Sequence, residues 1–173
     1  MLDRLDELTL PDGHLAAGCL FQTVWNVLDG QDPQHGISDY DVIYFDDAEL
    51  SWDAEDVVIQ RSATAFADLP IEVEVRNQAR VHLWYEDHFG VPYSPLRSCA
   101  EAIDRYAAQA CRYGIHPEDR SWSVYAPVGY DDLFAMVVRP NPVVAPREVY
   151  QAKAARWQAL WPRLRILDWS DEP

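Results

Sequence analysis

The alternation of apolar and polar positions divides this chain into short helices and strands. Leu2 to Leu8 predicts a short helix, which Pro11-Asp12-Gly13 ends. Leu15 to Cys19 leads into Leu20–Leu28, where Phe21, Val24, Trp25 and Leu28 recur at helical spacing, so an amphipathic helix is expected, stopped near Gly30. After a turn at Gly36, Val42 to Phe45 is an unbroken run of β-branched and aromatic residues, the pattern of a strand covered on both faces, and Asp46-Asp47 closes it. Ser51 to Leu69 reads as a helix with Val57, Val58, Ala65 and Phe66 apolar and Asp53, Glu55 and Asp56 in its first turns, where carboxylates favour the helix dipole. Pro70 ends it. Ile71 to Val75 alternates as a strand with Glu72 and Glu74 on one face, and near Asn77 the chain switches to helix.

Ser98-Cys99-Ala100-Glu101 is a capping box that opens a helix to about Tyr106. Strands are expected near Ala110–Tyr113, Trp122–Tyr125 and Ala135–Val138, and a Pro-rich segment, Pro140–Pro146, joins a final helix over Arg147–Leu160. There is no internal repeat and no low-complexity segment. The elements predict one α/β (α+β) domain over residues 1–173, with a mixed sheet flanked by helices and a C-terminal strand-and-helix extension.

Within this pattern Asp39 and Asp41 stand at the mouth of the apolar strand. Residues two apart on a strand leave the same face, about 6.5 Å apart at their backbones. Two carboxylates so placed repel and call for a cation, and oxygen-preferring Mg²⁺ or Mn²⁺ suits them. Solvated acids at a strand start are the plainer reading.

Charge changes the picture in one respect. The 173 residues carry 14 Lys or Arg against 29 Asp or Glu, a formal charge of −15. No Lys or Arg lies between Arg4 and Arg61, whereas a duplex-binding surface needs clustered basic residues. Long nucleic acid is therefore not expected as a partner. Lys153 is the single lysine among thirteen arginines. No run approaches the ~20 apolar residues of a membrane span, and the acidic start, Met1 to Glu7, lacks an apolar export core. Cys19, Cys99 and Cys111 have no metal-ligand spacing and read as reduced thiols, so a cytoplasmic protein is expected.

Taken in order, a Gly at a helix mouth (Gly18), a strand opening with Asp39 and Asp41, and a following strand that carries an acid resemble the polymerase-β-type nucleotidyltransferase superfamily. The segments Ala17–Asn26, Ser38–Asp46, Glu74–Trp84, Ala126–Phe134 and Trp161–Leu164 are similar to its compact bacterial branch. That resemblance implies a nucleotidyltransferase-like fold in which Asp39, Asp41 and the acid on the next strand (Glu74, with Glu72 the competitor) hold two divalent ions, Mg²⁺ or Mn²⁺. It implies a nucleoside triphosphate as substrate, an unknown small or protein acceptor, and Gly18 as the point where backbone approaches a phosphate at a helix N-terminus. The chain departs from the broad pattern at Cys19, where Ser or Gly is usual, and in the wide gap to Asp39, which a loop over Gln31–Gly36 must fill.

Other candidates each carry two readings. Cys19 and Ser38 sit beside the key Gly and acids, as nucleotide-binding candidates; for Cys19 the packing reading is preferred over that of a nucleophile. Arg76 and Arg80 either neutralise triphosphate charge or pair with surface acids. Asn77 and Gln78 either bind nucleotide or, for Asn77, cap the next helix. His82 is a general base or a packed core residue. Trp25, Trp84, Trp157 and Trp161 are read as core, and Asp131-Asp132 as a helix start. The same residues also serve a non-catalytic binding or regulatory protein with this fold, or a metal-dependent phosphohydrolase.

Overall fold

The structure, a computed structural model, describes residues 1–118 and 121–169. A five-stranded mixed sheet positions the site. Its strands are β1 (His14–Ala16), β2 (Tyr40–Tyr44), β3 (Val73–Asn77), β4 (Gly114–Glu118) and β5 (Ser121–Tyr125), in the order β3-β2-β1-β4-β5. Within this sheet, among the described residues, only β2 and β3 run parallel, joined by the helix Trp52–Phe66 as a crossover. The short β1 escapes a periodicity argument, although it is the middle strand.

Register assigns the two faces. Leu15 opposes Val42, and Val42 opposes Val75, so these share a face, which the helices α1 (Leu2–Glu7) and α3 (Trp52–Phe66) cover through Leu5, Leu8 and Phe66. Ala16 opposes Asp41 and Asp41 opposes Glu74 on the other face, where Ile43 and Arg76 follow. α5 (Cys99–Asp104) covers part of that face through Cys99 and Ile103, packed on Ala16 and Ile43. The Val42–Tyr44 end of β2 is thus covered on both sides, as its sequence predicts, while Tyr40 and Asp41 stay partly open. A third cluster joins α2 (Gly18–Leu28) to α7 (Arg147–Leu160) through Phe21, Trp25, Trp157 and Trp161. Each of these three clusters holds one buried cysteine: Cys19 with Leu15 and Val42, Cys99 with Ile103, and Cys111 with Trp25.

Caps fix the helix starts. Ser51 Oγ accepts from Ala54 N at 3.2 Å at the head of α3, and Ser98 Oγ accepts from Glu101 N at 3.2 Å at the head of α5. The box at Ser98 closes one residue early, because the Glu101 carboxylate accepts from the amide of Arg97 at 2.9 Å. α5 also ends at Asp104, short of Tyr106. There the buried Asn141 donates to the carbonyls of Asp104 and Tyr106 at 2.8 and 2.7 Å, and those groups are lost to a continuing helix.

Several expected elements shift. The strand expected at Ile71–Val75 begins at Val73 and runs to Asn77, and the switch near Asn77 produces a 3₁₀ turn over Gln78–Leu83 followed by α4 (Tyr85–Phe89). The strand expected at Ala110–Tyr113 is corrected: Gln109–Cys111 is a 3₁₀ turn, and β4 begins at Gly114. Pro117 does not disrupt β4, because β1 pairs only with Gly114 and Ile115, leaving Pro117 a neighbour on one side alone. The strand near Ala135 shrinks to β6 (Val137–Val138), parallel to β7 (Arg165–Ile166), since Met136 takes a left-handed φ of 53° just before it. α6 (Asp131–Phe134) starts at the acidic pair, and α7 has the expected bounds. The loop between α2 and β2 is tied down by Asn26, whose Nδ2 donates to Pro33 O and His35 O at 3.0 and 2.8 Å while its Oδ1 accepts from Trp161 Nε1 at 2.7 Å. Among the described residues no helix is long and apolar enough to cross a membrane.

Candidate active site

The open part of the sheet face is the floor of a cleft of about 790 Å³, within the usual range for a small-molecule site. Asp39, Asp41 and Glu74 meet at this floor, with one carboxylate oxygen from each lying within 4.8 Å of the others. Strand pairing causes this: Asp41 and Glu74 are direct partners across the parallel β2–β3 ladder, and Asp39 lies just before β2. Glu72 precedes β3, is exposed and does not line the cleft. Ser38 Oγ donates to Asp39 Oδ1 at 2.9 Å, and Arg76 pairs with Glu74 at 2.7 Å.

Burial, then the neighbouring charges of Asp39 and Glu74, raise Asp41 from an ordinary carboxylate value to about 6, with Lys153 and Arg76 partly opposing the rise. Three crowded hard oxygen donors, with no sulfur or imidazole among them, fit Mg²⁺ or Mn²⁺ better than a softer metal.

The head of α2 borders the acids. Ala17, its N-cap, holds φ 58° and ψ −135°, a conformation that residues with a side chain rarely adopt. Gly18 follows, and a Cβ there would sit 2.7 Å from Gln22 Nε2. The buried Gln22 lines the cleft, and its Oε1 has no hydrogen-bond partner among the described residues. Cys19 turns away. Its thiol donates to Ala16 O at 3.4 Å, and burial, with Asp41 nearby, pushes it up to about 12, which suits packing and not nucleophilic attack.

Glu55, Asn77 and Arg80 build another part of the cleft lining. Glu55 on α3 is buried, pairs with Arg80, and accepts the Asn77 amide at 2.8 Å. Asn77 Oδ1 accepts from Ala79 N at 3.0 Å and from Asp46 N at 3.1 Å, while its Nδ2 donates to Asp46 O at 2.8 Å. Asn77 therefore caps the 3₁₀ turn and also clamps the end of β2 to β3. Arg80 is committed as well: Nε donates to Leu50 O at 3.0 Å and its guanidinium lies 5.4 Å from the Trp52 ring centroid.

Trp84 corrects the core reading. It is 47 % exposed and lines the cleft with Trp52, Tyr85 and Tyr93, whereas Trp25, Trp157 and Trp161 are buried. His82 does not border the cleft, and its Nδ1 is buried without a partner among the described residues. A second cluster, Asp12, His14 and Cys99, also brings potential ligand atoms within 4.8 Å of one another. Structure already employs those groups: Asp12 Oδ2 accepts the Cys99 amide at 2.6 Å at the first turn of α5, and His14 Nδ1 bonds Asp12 O at 2.8 Å.

Charge in the cleft is opposite in balance to the chain. Of the 29 acidic residues four line it (Asp39, Asp41, Glu55 and Glu74), against five of the 14 basic ones (Arg76, Arg80, Arg105, Lys153 and Arg156). Sequence reasoning assigns no role to Arg105, Lys153 or Arg156. The only signal for the last two is their spacing of one turn on α7, flanking the buried Ala154 and Trp157.

A mixed sheet of this order, with acids at the mouth of two parallel strands beside a glycine-led helix, is the nucleotidyltransferase type of fold. The chain matches the family described as nucleotidyltransferase over residues 3–166 and belongs to it. Among solved structures it is similar to one determined by NMR and described as revealing a CCA-adding enzyme head domain, with a TM-score of 0.75 and 25 % identity over 96 % of this chain and 87 % of that one. Comparison with proteins of curated function returned no match. Family and fold together support a nucleotidyl-transfer function.

Proposed function

We propose that this protein moves a nucleoside monophosphate from a nucleoside triphosphate to the hydroxyl of a small-molecule or protein acceptor, using Mg²⁺ or Mn²⁺ held by Asp39, Asp41 and Glu74. The observation that carries this reading is the convergence of those three carboxylates on the floor of an open cleft. Two such ions, when bound, stabilise the attacking and leaving oxygens of an in-line displacement. Asp41, flanked by the other two acids, is the residue best placed to serve both. The head of α2, which no side chain caps, with Gly18 leaving room for close approach, is suited to a phosphate oxygen. Ser38 orients Asp39 through its hydroxyl, and Arg76 restrains Glu74. Asn77 and Arg80, saturated by internal partners, act as the rigid wall against which the nucleotide rests.

The volume of the cleft and its exposed Trp52 and Trp84 suit a nucleotide with a small acceptor beside it. The chain's acidity, −15 overall, speaks against a long nucleic acid as that acceptor.

The test is incubation with each α-³²P nucleoside triphosphate and Mn²⁺, with candidate acceptors and without. Wild type is expected to release pyrophosphate and retain label on an acceptor, and Asp41→Asn to lose at least ~100-fold in rate. Triphosphate binding without pyrophosphate release would instead identify a non-catalytic binding protein. Free nucleoside monophosphate without an acceptor would identify a phosphohydrolase.

A further inference from the structure

The five cations of the cleft are not equivalent. Arg76 is held by Glu74 and Arg80 by Glu55, and Arg105 donates to Ser94 O at 2.7 Å with its guanidinium 4.5 Å from the Tyr93 ring centroid. Lys153 and Arg156 differ: among the described residues neither makes an ion pair or a hydrogen bond, although the chain carries twice as many acids as bases. A cation left unpaired in so acidic a protein, on a cleft wall, marks a place kept for an external anion.

Position strengthens the point. α7 spans 14 residues and is anchored by Tyr150, Ala154 and Trp157, all buried, so the two side chains project from a fixed rod. Both act electrostatically on Cys111, which lines the same cleft, and Lys153 also acts on Asp41 at the floor. Both therefore border the cleft whose floor carries Asp39, Asp41 and Glu74, with Lys153 the nearer in effect to Asp41.

We infer that Lys153 and Arg156 form the grip for the β- and γ-phosphates of the nucleoside triphosphate, so that the last helix, and not only the sheet edge, builds the substrate site. This rests on the proposed nucleotidyl transfer and adds to it the residues that distinguish a triphosphate from a monophosphate. The two chemistries are complementary, a mobile ammonium and a planar guanidinium that takes two phosphate oxygens at once.

Equilibrium dialysis with Mn²⁺ at fixed salt tests this, using the four α,β-methylene nucleoside triphosphates, inorganic tripolyphosphate and the nucleoside monophosphates as probes. Lys153→Ala and Arg156→Ala should each weaken triphosphate and tripolyphosphate binding by ~10–100-fold. Monophosphate binding should change by less than ~3-fold, the range of a screened surface charge. Lys153→Arg should recover most of the loss, and Mn²⁺ affinity, read by electron paramagnetic resonance, should change by less than ~3-fold in every variant, since Lys153 acts on Asp41 only through space. Both side chains are exposed, and unchanged thermal unfolding confirms that the variants fold.

Unaltered triphosphate affinity in both alanine variants, with wild type binding Mn²⁺ and triphosphate, overturns the grip and leaves the proposed transfer standing. Equal losses for mono- and triphosphate overturn it too. A wild type that binds Mn²⁺ but neither a triphosphate nor tripolyphosphate overturns the grip and the proposed function together.

Discussion

Asp41 bears the main electrostatic conflict of the molecule. It lies between two other carboxylates and is partly removed from water, so its proton is held up to about pH 6. In the unfolded chain it titrates near its ordinary value of 3.8. Between those values the folded state binds more protons than the unfolded one, and metal-free protein loses stability as pH rises from about 4 to about 6. Asp41→Asn removes this cost. In EDTA at neutral pH the variant should be more stable than wild type by about 1–2 kcal/mol after allowance for solvent screening, and the gain should vanish near pH 4. Urea denaturation of both proteins across that range checks the sign. Divalent-ion affinity should follow the opposite logic, rising with pH until Asp41 is ionised above about 6. At this scale the sequence was informative about Asp39 and Asp41, because strand alternation places neighbours on a face. Alternation cannot choose between Glu72 and Glu74, since both share a face; the family resemblance favours Glu74, and the structure pairs Glu74 with Asp41.

At the level of elements, the cleft depends on how the ends of β2, β3 and α3 are locked together. Glu55 accomplishes this from the first turn of α3, taking the Asn77 amide and the Arg80 guanidinium. Its position among the acids of that turn reads in sequence as dipole complementarity, which conceals that it alone of them is buried. Glu55→Ala leaves Arg80 unpaired in a largely buried site and should cost about 3–5 kcal/mol in chemical denaturation. Glu55→Gln, which keeps an acceptor for Asn77, should cost less than the alanine variant. The helices were legible from apolar spacing and caps: Ser51 and Ser98 both act as N-caps, and α7 has its expected bounds. The sheet was legible only in part. β1 has three residues, too few to show alternation, and β4 contains a proline that a sequence rule places outside strands. Side-chain exposure at the cleft escaped as well. Trp84 looks like core by composition, but it lies at the junction of two short helical turns with its ring toward the opening.

For the whole molecule, charge is sorted by place. The acidic excess lies outside the cleft, where it repels polyanions, while five of 14 basic residues are gathered inside. Linear composition showed only the excess, because Arg76, Arg80, Arg105 and the Lys153–Arg156 pair of α7 come from distant parts of the chain that meet only on folding. The C-terminal segment is likewise integral to the site: α7 packs through Trp157 on Phe21 of α2, with ring centroids 5.2 Å apart, and Trp161 bonds Asn26. Three of the apolar clusters each contain one thiol, and all three thiols are buried. The native protein should therefore be silent toward alkylating reagents, and a peptide-resolved time course with iodoacetamide in rising urea becomes a three-channel clock. Simultaneous modification at positions 19, 99 and 111 would report one cooperative opening, and an early signal at 111 alone would mark the cleft wall that Cys111 lines as the first part to loosen.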